Sequence, residues 1–433
     1  MKTLKSIAAV SLLAAGATGL ASANTTAHIY IVGAPAYRAE SIATIDAVVH
    51  TFSGAGETAS SSSNSNFSNT NQVQWLIPNY QSGIDLEVNA SFTGSTAGVE
   101  AVASGLFPQK FIPDGTGTVA SPVTGGSASE SHQPDITLSD TFQGTTPFNT
   151  GTVKLEIGAT AGTFQNVTFS TITGAKLGVE QYRWVGTHGL AARGVTNITT
   201  AQAQLLYKNG QLPLSFFTGK NSDETSYVYP LSRDPGSGSR LIALAETGVG
   251  VKTSIQTYKP TVTGATADSS GNFVHGSITD SAFDPNSFSG GPNLYPAGQI
   301  SSTTIFDPNA GDTGYPSFGT KDQTGLLAAI TSIPTDTNAF YVTYLDTTDA
   351  QEAEAAGAEE LTWNGVSAGV VGGVTEGFYT FWSYEQLYKS PTIGSTQSSF
   401  ANAVAAAFPA HADIPLSTLN VQRGADGGPI TSL

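Results

Sequence analysis

Three places in this sequence put small hydrogen-bonding residues where a strand turns into a helix. They are Gly33-Ala34-Pro35-Ala36, Gly94-Ser95-Thr96-Ala97-Gly98 and Gly236-Ser237-Gly238-Ser239. The first amides of a helix have no partner inside it, and the backbone dipoles make that end partly positive. Glycine lets an anion come close to those amides, and a serine or threonine hydroxyl adds one more donor. The chemistry on offer is recognition of an oxyanion rather than bond breaking. One such turn is usually no more than a helix cap; three at the carboxyl ends of strands mark where α/β sheets hold ligands. Arg233, four residues ahead of Ser237, can set a bidentate fork beside the third turn, or it can form a surface ion pair with Asp234. Asp140 is a carboxylate at the end of another strand. It can accept a hydrogen bond from a protonated oxyanion such as HPO₄²⁻, which sulfate cannot offer, or it can cap a helix starting at Thr141.

The elements that must hold these residues follow from composition and period. His28 to Val32 is a β-rich run, and the stretch that follows, to Val49, has helical spacing. Strands are expected at 73–78, 86–92, 135–140, 177–185, 227–231 and 339–345, and helices at 99–103, 199–208 (with Thr199 as N-cap) and 240–246. The aromatic-rich segment 377–388 is expected to anchor a helix in a core, and the polar stretches 60–71, 113–133 and 261–320 to be surface loops. Strands alternating with helices indicate α/β lobes with mostly parallel sheets. A mature chain of roughly 410 residues is too long for one core and implies two lobes or more.

Residues 1–23 have the three parts of a secretory signal: basic Lys2 and Lys5, an apolar small-residue stretch, and Ala21-Ser22-Ala23 as a cleavage site. The expected mature protein is periplasmic or secreted, cut near Ala23, with no direct membrane insertion. There is no cysteine and Met1 is the sole methionine, so disulfides, thiolate catalysis and a lipidated cysteine are excluded. Without Lys2 and Lys5 the 17 basic residues fall to 15 against 33 acidic ones, a net charge of −18. Such a surface repels nucleic acid and anionic lipid. It does not forbid an anion site, because charges beyond a Debye length of about 8 Å are screened.

The order of these motifs, with a late Gly377, Tyr379, Trp382 segment, resembles the periplasmic phosphate-binding proteins of ABC transporters, within the wider PBP-like superfamily. The resemblance implies the two-lobed periplasmic-binding-protein fold, with phosphate held in the interlobe cleft and no catalytic residue, metal or cofactor. It implies 24–176 plus 366–433 as one lobe, 177–365 as the other, and hinge strands near 177–185 and 366–375. By position, backbone groups of Tyr37 and Arg38 would face the ligand, Ser95 would donate its hydroxyl and Asp140 would accept the phosphate proton. Arg233, Ser237, Gly238 and Ser239 would complete the cage. An ABC-transporter permease is the implied onward partner. This chain departs from the family in having Tyr37 where a threonine is usual and Pro235 where an aspartate orients the arginine.

Three rival readings remain. Gly365-Val366-Ser367-Ala368-Gly369 matches a serine-hydrolase elbow with His411 beyond it, but no aspartate lies between them and 361–364 makes a poor buried strand. The histidines at 28, 50, 132, 188, 275 and 411 show no metal-ligand spacing, and 307–312 lacks the EF-hand pattern. A surface or structural interaction protein that keeps the binding fold would also suit the long polar insertions.

Overall fold

The computed structural model describes residues 24–63, 67–68, 70–156, 164–233, 236–251, 255–257 and 339–433, with a few isolated positions between 258 and 338. The leader 1–23, Asp234, Pro235 and nearly all of 261–320 lie outside the described residues.

The chain begins with β1 (Thr25–Gly33), α1 (Arg38–Val49), β2 (Gly56–Ser60), β3 (Gln72–Gln81), β4 (Ile84–Ser91) and α2 (Ser95–Ser104). It continues through β5 (Ile136–Ser139), the long β6 (Gly174–Gly186), α3 (Thr200–Asn209), β7 (Tyr227–Pro230) and α4 (Gly238–Glu246). After these come β8 (Ala339–Asp346), α5 (Thr347–Ala355), β9 (Glu359–Trp363), β10 (Trp382–Lys389) and α6 (Ser395–Ala407). The expected strand–turn–helix units are all present. The predicted cap is too: Thr199 and Gln202 form a reciprocal capping box at the start of α3.

These strands form one large α/β sheet, ordered β7-β8-β6-β10-β5-β1-β4-β3-β2 along its main path. Parallel pairing occurs where the helical crossovers are, β1 with β4 and β5, and β7 with β8. The connecting strands pair antiparallel: β5 with β10, β10 with β6, β6 with β8, and the β2–β3–β4 edge. Among the described residues two large hydrophobic cores lie along this sheet, with a third, smaller cluster around Val99, Phe148 and Tyr388. One gathers Ile29, Ile31, Ile45, Trp75, Val88, Leu138 and Phe400; the other gathers Trp184, Leu206, Val228, Ile242, Phe340, Trp363 and Phe381. In the second, Trp184 stacks on Trp363 and Phe381 at centroid separations of 5.7 and 5.6 Å.

Both crossings between the cores are strands. β6 pairs with β10 over its first half and with β8 from Tyr182 onward. The segment expected as an aromatic helix is instead β10, buried on both faces, so Trp382, Tyr384 and Tyr388 follow a period of two rather than 3.6. The expected hinge strand at 366–375 is a run of turns with Val371 exposed, and the return crossing is β10 itself. The segment 361–364, which reads as a poor strand, lies mostly in β9, where Trp363 is buried and stacked.

Candidate functional site

α2 and α4 meet end to end at the joint between the two cores. Gly94 precedes α2 with φ 152°, a conformation that favours glycine, and its amide donates to the Gly33 carbonyl, so the first and second turns lie side by side. Gly98 keeps α2 close on β5, since a Cβ there would overlap Thr137 Oγ1. Ser95 is thereby fully buried at the start of α2. The next two amides, Thr96 and Ala97, both donate to the Gly236 carbonyl, at 3.1 and 3.4 Å. The positive end of one helix thus engages the turn that opens the other.

Asp140 follows β5 and is buried at the centre of this joint. No helix begins at Thr141, so the carboxylate is not a cap. Its Oδ2 accepts from the Tyr182 hydroxyl at 2.8 Å, and its amide donates to Ser95 Oγ at 3.4 Å. Its Oδ1 is buried without a hydrogen bond and lies against Gly238, the first residue of α4, where any Cβ would overlap it. Burial pushes the Asp140 carboxyl up; hydrogen bonds from Ser95 and Tyr182 and the charge of Arg233 oppose that rise without cancelling it.

The third turn is braced from several sides. Ser237 caps α4 by accepting from the Arg240 amide, and its hydroxyl pairs with that of Ser239 at 2.8 Å. The Arg233 amide donates to the Tyr344 hydroxyl at 3.2 Å, and its carbonyl accepts from Arg240 Nη1 at 2.7 Å. The Arg233 charge acts on Asp140, Asp346 and Asp349. Ser95, Asp140, Arg233, Ser237, Gly238 and Ser239, spread over 145 positions of sequence, therefore share one neighbourhood.

Tyr37 and Arg38 arrive with their side chains. Tyr37 is the N-cap of α1 and packs edge-on against Phe408; burial raises its phenol pKa, and the Asp140 charge raises it further. The Arg38 amide donates to the Pro35 carbonyl. The Arg38 guanidinium is buried, donates to Asn71 Oδ1 at 2.6 Å, and feels Asp349, Asp346 and, as a like charge, Arg233. Burial lowers its pKa and the carboxylates work against that. Two cations thus approach the joint, one from each core.

Carboxyls surround them. Asp346 at the end of β8 accepts from the Asp349 amide and caps α5; burial pushes it up to about 6, and burial raises Asp349 well above the usual range. Beneath the crossing strands burial also raises Glu40 to about 7, Asp413, and, well above the usual range, Glu180 and Glu385.

Tyr182, Tyr344, Arg240 and Asp426 complete the site and are not signalled by any local motif. Asp426 comes from the C-terminal segment; its Oδ2 accepts from the Phe142 amide at 2.9 Å and so fixes the loop that leaves Asp140. The same segment clamps the far end of α4, where Arg423 pairs with Glu246 at 3.1 Å. Ser367, by contrast, donates to Glu360 Oε1 at 3.3 Å in an exposed turn that no helix follows, so it forms no nucleophile elbow.

No family model and no curated protein matches the chain. Among solved structures it is similar to an ABC-type phosphate transport receptor from Vibrio cholerae, at 12% identity and a TM-score of 0.39, over 87% of this chain and 93% of that one. It is similar to PstS from Borrelia burgdorferi at 9% and 0.34, over 87% and 91%. A third similar structure is hydrogen-peroxide-bound OxyR from Corynebacterium glutamicum, at 9% and 0.33, over 91% and 69%. All three identities lie below 25% and all three TM-scores below 0.5. No helix among the described residues is long and apolar enough to cross a membrane.

Proposed function

We propose that this chain is an exported solute-binding protein that captures a tetrahedral oxyanion, phosphate first among them, between two closing lobes, and that it catalyses nothing. In this reading 24–176 with the chain beyond the β10 crossing forms one lobe and 177–365 the other, to whose core Ala368, Val374, Tyr379, Phe381, Trp382, Leu419 and Val421 also belong. One observation carries it. A buried carboxylate oxygen, Asp140 Oδ1, has no hydrogen bond where Ser95, Arg233 and the first turn of α4 converge. An acceptor in that position suits an anion that brings a proton of its own, as HPO₄²⁻ does and sulfate does not.

Entry of the anion requires α4 to draw back from Asp140, which also releases the Thr96 and Ala97 amides from Gly236. The anion then takes the place of the Gly236 carbonyl, and Arg233 and Arg38 supply charge from opposite sides. A permease of the ABC type would receive the loaded protein.

The same Gly236 contact favours a second reading, a structural or surface-interaction protein in which the joint is permanently closed. Calorimetric titration with phosphate and sulfate in parallel decides between them. Micromolar or tighter phosphate binding is expected, weakened at least tenfold by Arg233→Ala, and weakened by Asp140→Asn more for phosphate than for sulfate. No heat from either anion would leave the structural reading standing, and an unchanged Arg233→Ala titration would remove Arg233 from the site.

A further inference from the structure

Away from the oxyanion joint, two histidines and three carboxylates that are far apart in sequence meet beside the amino-terminal half of β1. The parallel register of β1 and β4 sets His28 beside Glu87 and Tyr30 beside Asn89. The insertion after α2 folds over this face as two short antiparallel strands, Gln109–Phe111 and Glu130–His132, with Asp114 just beyond the first. His28 Nδ1 lies 3.6 Å from Glu87 Oε1 and 3.3 Å from Asp114 Oδ2. His132 Nε2 lies 3.2 Å from Glu130 Oε1 and 4.0 Å from the same Asp114 Oδ2. Two triads, His28–Glu87–Asp114 and Asp114–Glu130–His132, thus share one carboxylate, and within each triad the ligand atoms lie within 4.8 Å of one another.

Neither of those imidazole nitrogens makes a hydrogen bond of ordinary geometry, although both atoms are buried. Both are aimed at carboxylate oxygens. The surroundings hold them in that aim. His132 stacks on Tyr30 at 4.1 Å with the rings 7° from parallel, and the Tyr30 hydroxyl donates to Asp114 Oδ2 at 2.7 Å. Glu87 accepts from Gln74 Nε2 at 3.0 Å and from the Gly115 amide at 3.0 Å; Glu130 Oε2 accepts from the Asp114 amide at 3.0 Å. Such outer contacts orient first ligands in metal sites.

We propose that these two triads each offer three ligands to a borderline transition-metal dication of the Zn²⁺ class, with Asp114 shared between them. Metal bonds of about 2.0–2.2 Å to nitrogen and oxygen in a tetrahedral site separate neighbouring ligand atoms by about 3.4 Å. The four histidine–carboxylate separations, 3.6, 3.3, 4.0 and 3.2 Å, lie around that value. Two imidazole donors select against Mg²⁺ and Ca²⁺, which take oxygen ligands. With neutral imidazoles the cluster carries three negative charges, which a dication offsets. The side chains of His28, Asp114 and Glu130 keep 31%, 25% and 42% of their surface exposed, which leaves an entry path. His28 is five residues upstream of Gly33. At about 3.3 Å per residue that is roughly 17 Å from the oxyanion turn. The ion would tie the insertion down onto the sheet, giving a purpose to a polar segment that the anion site does not use.

The test is titration of the full mature chain, free of any histidine tag, with Zn²⁺ and with Mg²⁺ in a buffer without phosphate, read by calorimetry and by the melting temperature. Micromolar or tighter Zn²⁺ binding with a raised melting temperature is expected, with no response to Mg²⁺. Asp114→Asn and the double variant His28→Gln/His132→Gln should each weaken Zn²⁺ at least tenfold. Both should leave phosphate titration as in the parent, so failure here is separable from failure of the oxyanion reading. If Asp114→Asn does not fold, the double variant alone decides. Absence of Zn²⁺ binding, or binding that survives the double variant, overturns the proposal and leaves histidine–carboxylate ion pairs.

Discussion

Replacing Gly238 by alanine puts a methyl group where Asp140 already is. A Cβ built on Gly238 overlaps Oδ1 and stands only 2.5 Å from Cγ and 2.8 Å from Oδ2 of that carboxylate. Gly238 is not among the glycines with positive φ, so its backbone accepts alanine and the effect is steric alone. Asp140 has little room to retreat, because Tyr182 holds Oδ2 and Ser95 holds its amide. Forced overpacking of this kind costs about 1–3 kcal/mol. The cost falls on the anion-free arrangement of α4 against Asp140, which oxyanion entry must open, so capture should gain what that arrangement loses. At 1.4 kcal/mol per tenfold, affinity should rise by roughly 10- to 100-fold while the anion-free protein melts lower. The assay is phosphate calorimetry beside thermal melting, with Gly144→Ala as control because nothing lies within 4 Å of a Cβ there. A Gly238→Ala protein that melts and binds like the control would refute the placement of α4 against Asp140, and with it the proposed closure.

Removing the Tyr182 hydroxyl as Tyr182→Phe leaves Asp140 Oδ2 without its donor and should cost about 1–3 kcal/mol, read as a lower denaturant midpoint with unchanged slope. That loss should be greater at pH 8 than at pH 5, where the carboxyl is more protonated; a pH-independent loss would mean Asp140 stays charged throughout. Stability of the whole protein should fall as pH rises from about 4 to 8. Glu40, Asp346 and Asp426 are raised from ordinary values of 4.5, 3.8 and 3.8 to about 7, 6 and 7. The folded chain therefore holds more protons than the unfolded one in that window; the contribution is complete below the unfolded values and is lost by the folded ones. For Asp426 alone a rise of that size corresponds to about 4 kcal/mol. Asp426→Asn should accordingly raise the melting temperature at pH 8 and change little at pH 4, and a melting temperature flat across this range in the parent would contradict the burial argument.

The strands and turns that carry the site were legible because their signals are local. A continuous apolar run before Gly33, a Thr199 cap and a Gly/Ser turn before an apolar helix each need only a few residues to be read. β10 was not, because a strand buried on both faces shows no alternation, and six aromatics in twelve positions suit a core helix equally well. Tyr182, Tyr344, Arg240 and Asp426 stayed hidden for another reason. Each acts through a partner at least seven positions away, and nothing around any of them marks that partner. The histidine cluster is the extreme case: His28 and His132 come within reach of Asp114 only because an insertion folds back across a parallel pair of strands.

How so acidic a chain could hold an anion comes down to which of its carboxyls are charged at the joint. Arg38 and Arg233 are mutually repulsive cations, and Asp346 and Asp349 lie within range of both. If all the buried carboxyls nearby were ionised, the arginines would be fully neutralised and an incoming dianion would meet net negative charge. Burial works against that by the same desolvation that makes the interior costly for any charge. Burial holds Asp349, Glu180 and Glu385 well above the usual carboxylate range and Asp346 up to about 6. The carboxyls that act on the two guanidinium groups are thereby harder to ionise than exposed ones, while charges farther away than about 8 Å are screened. An oxyanion arriving there competes with those acids for the guanidinium groups, and any rise in pH that ionises more of them strengthens that competition.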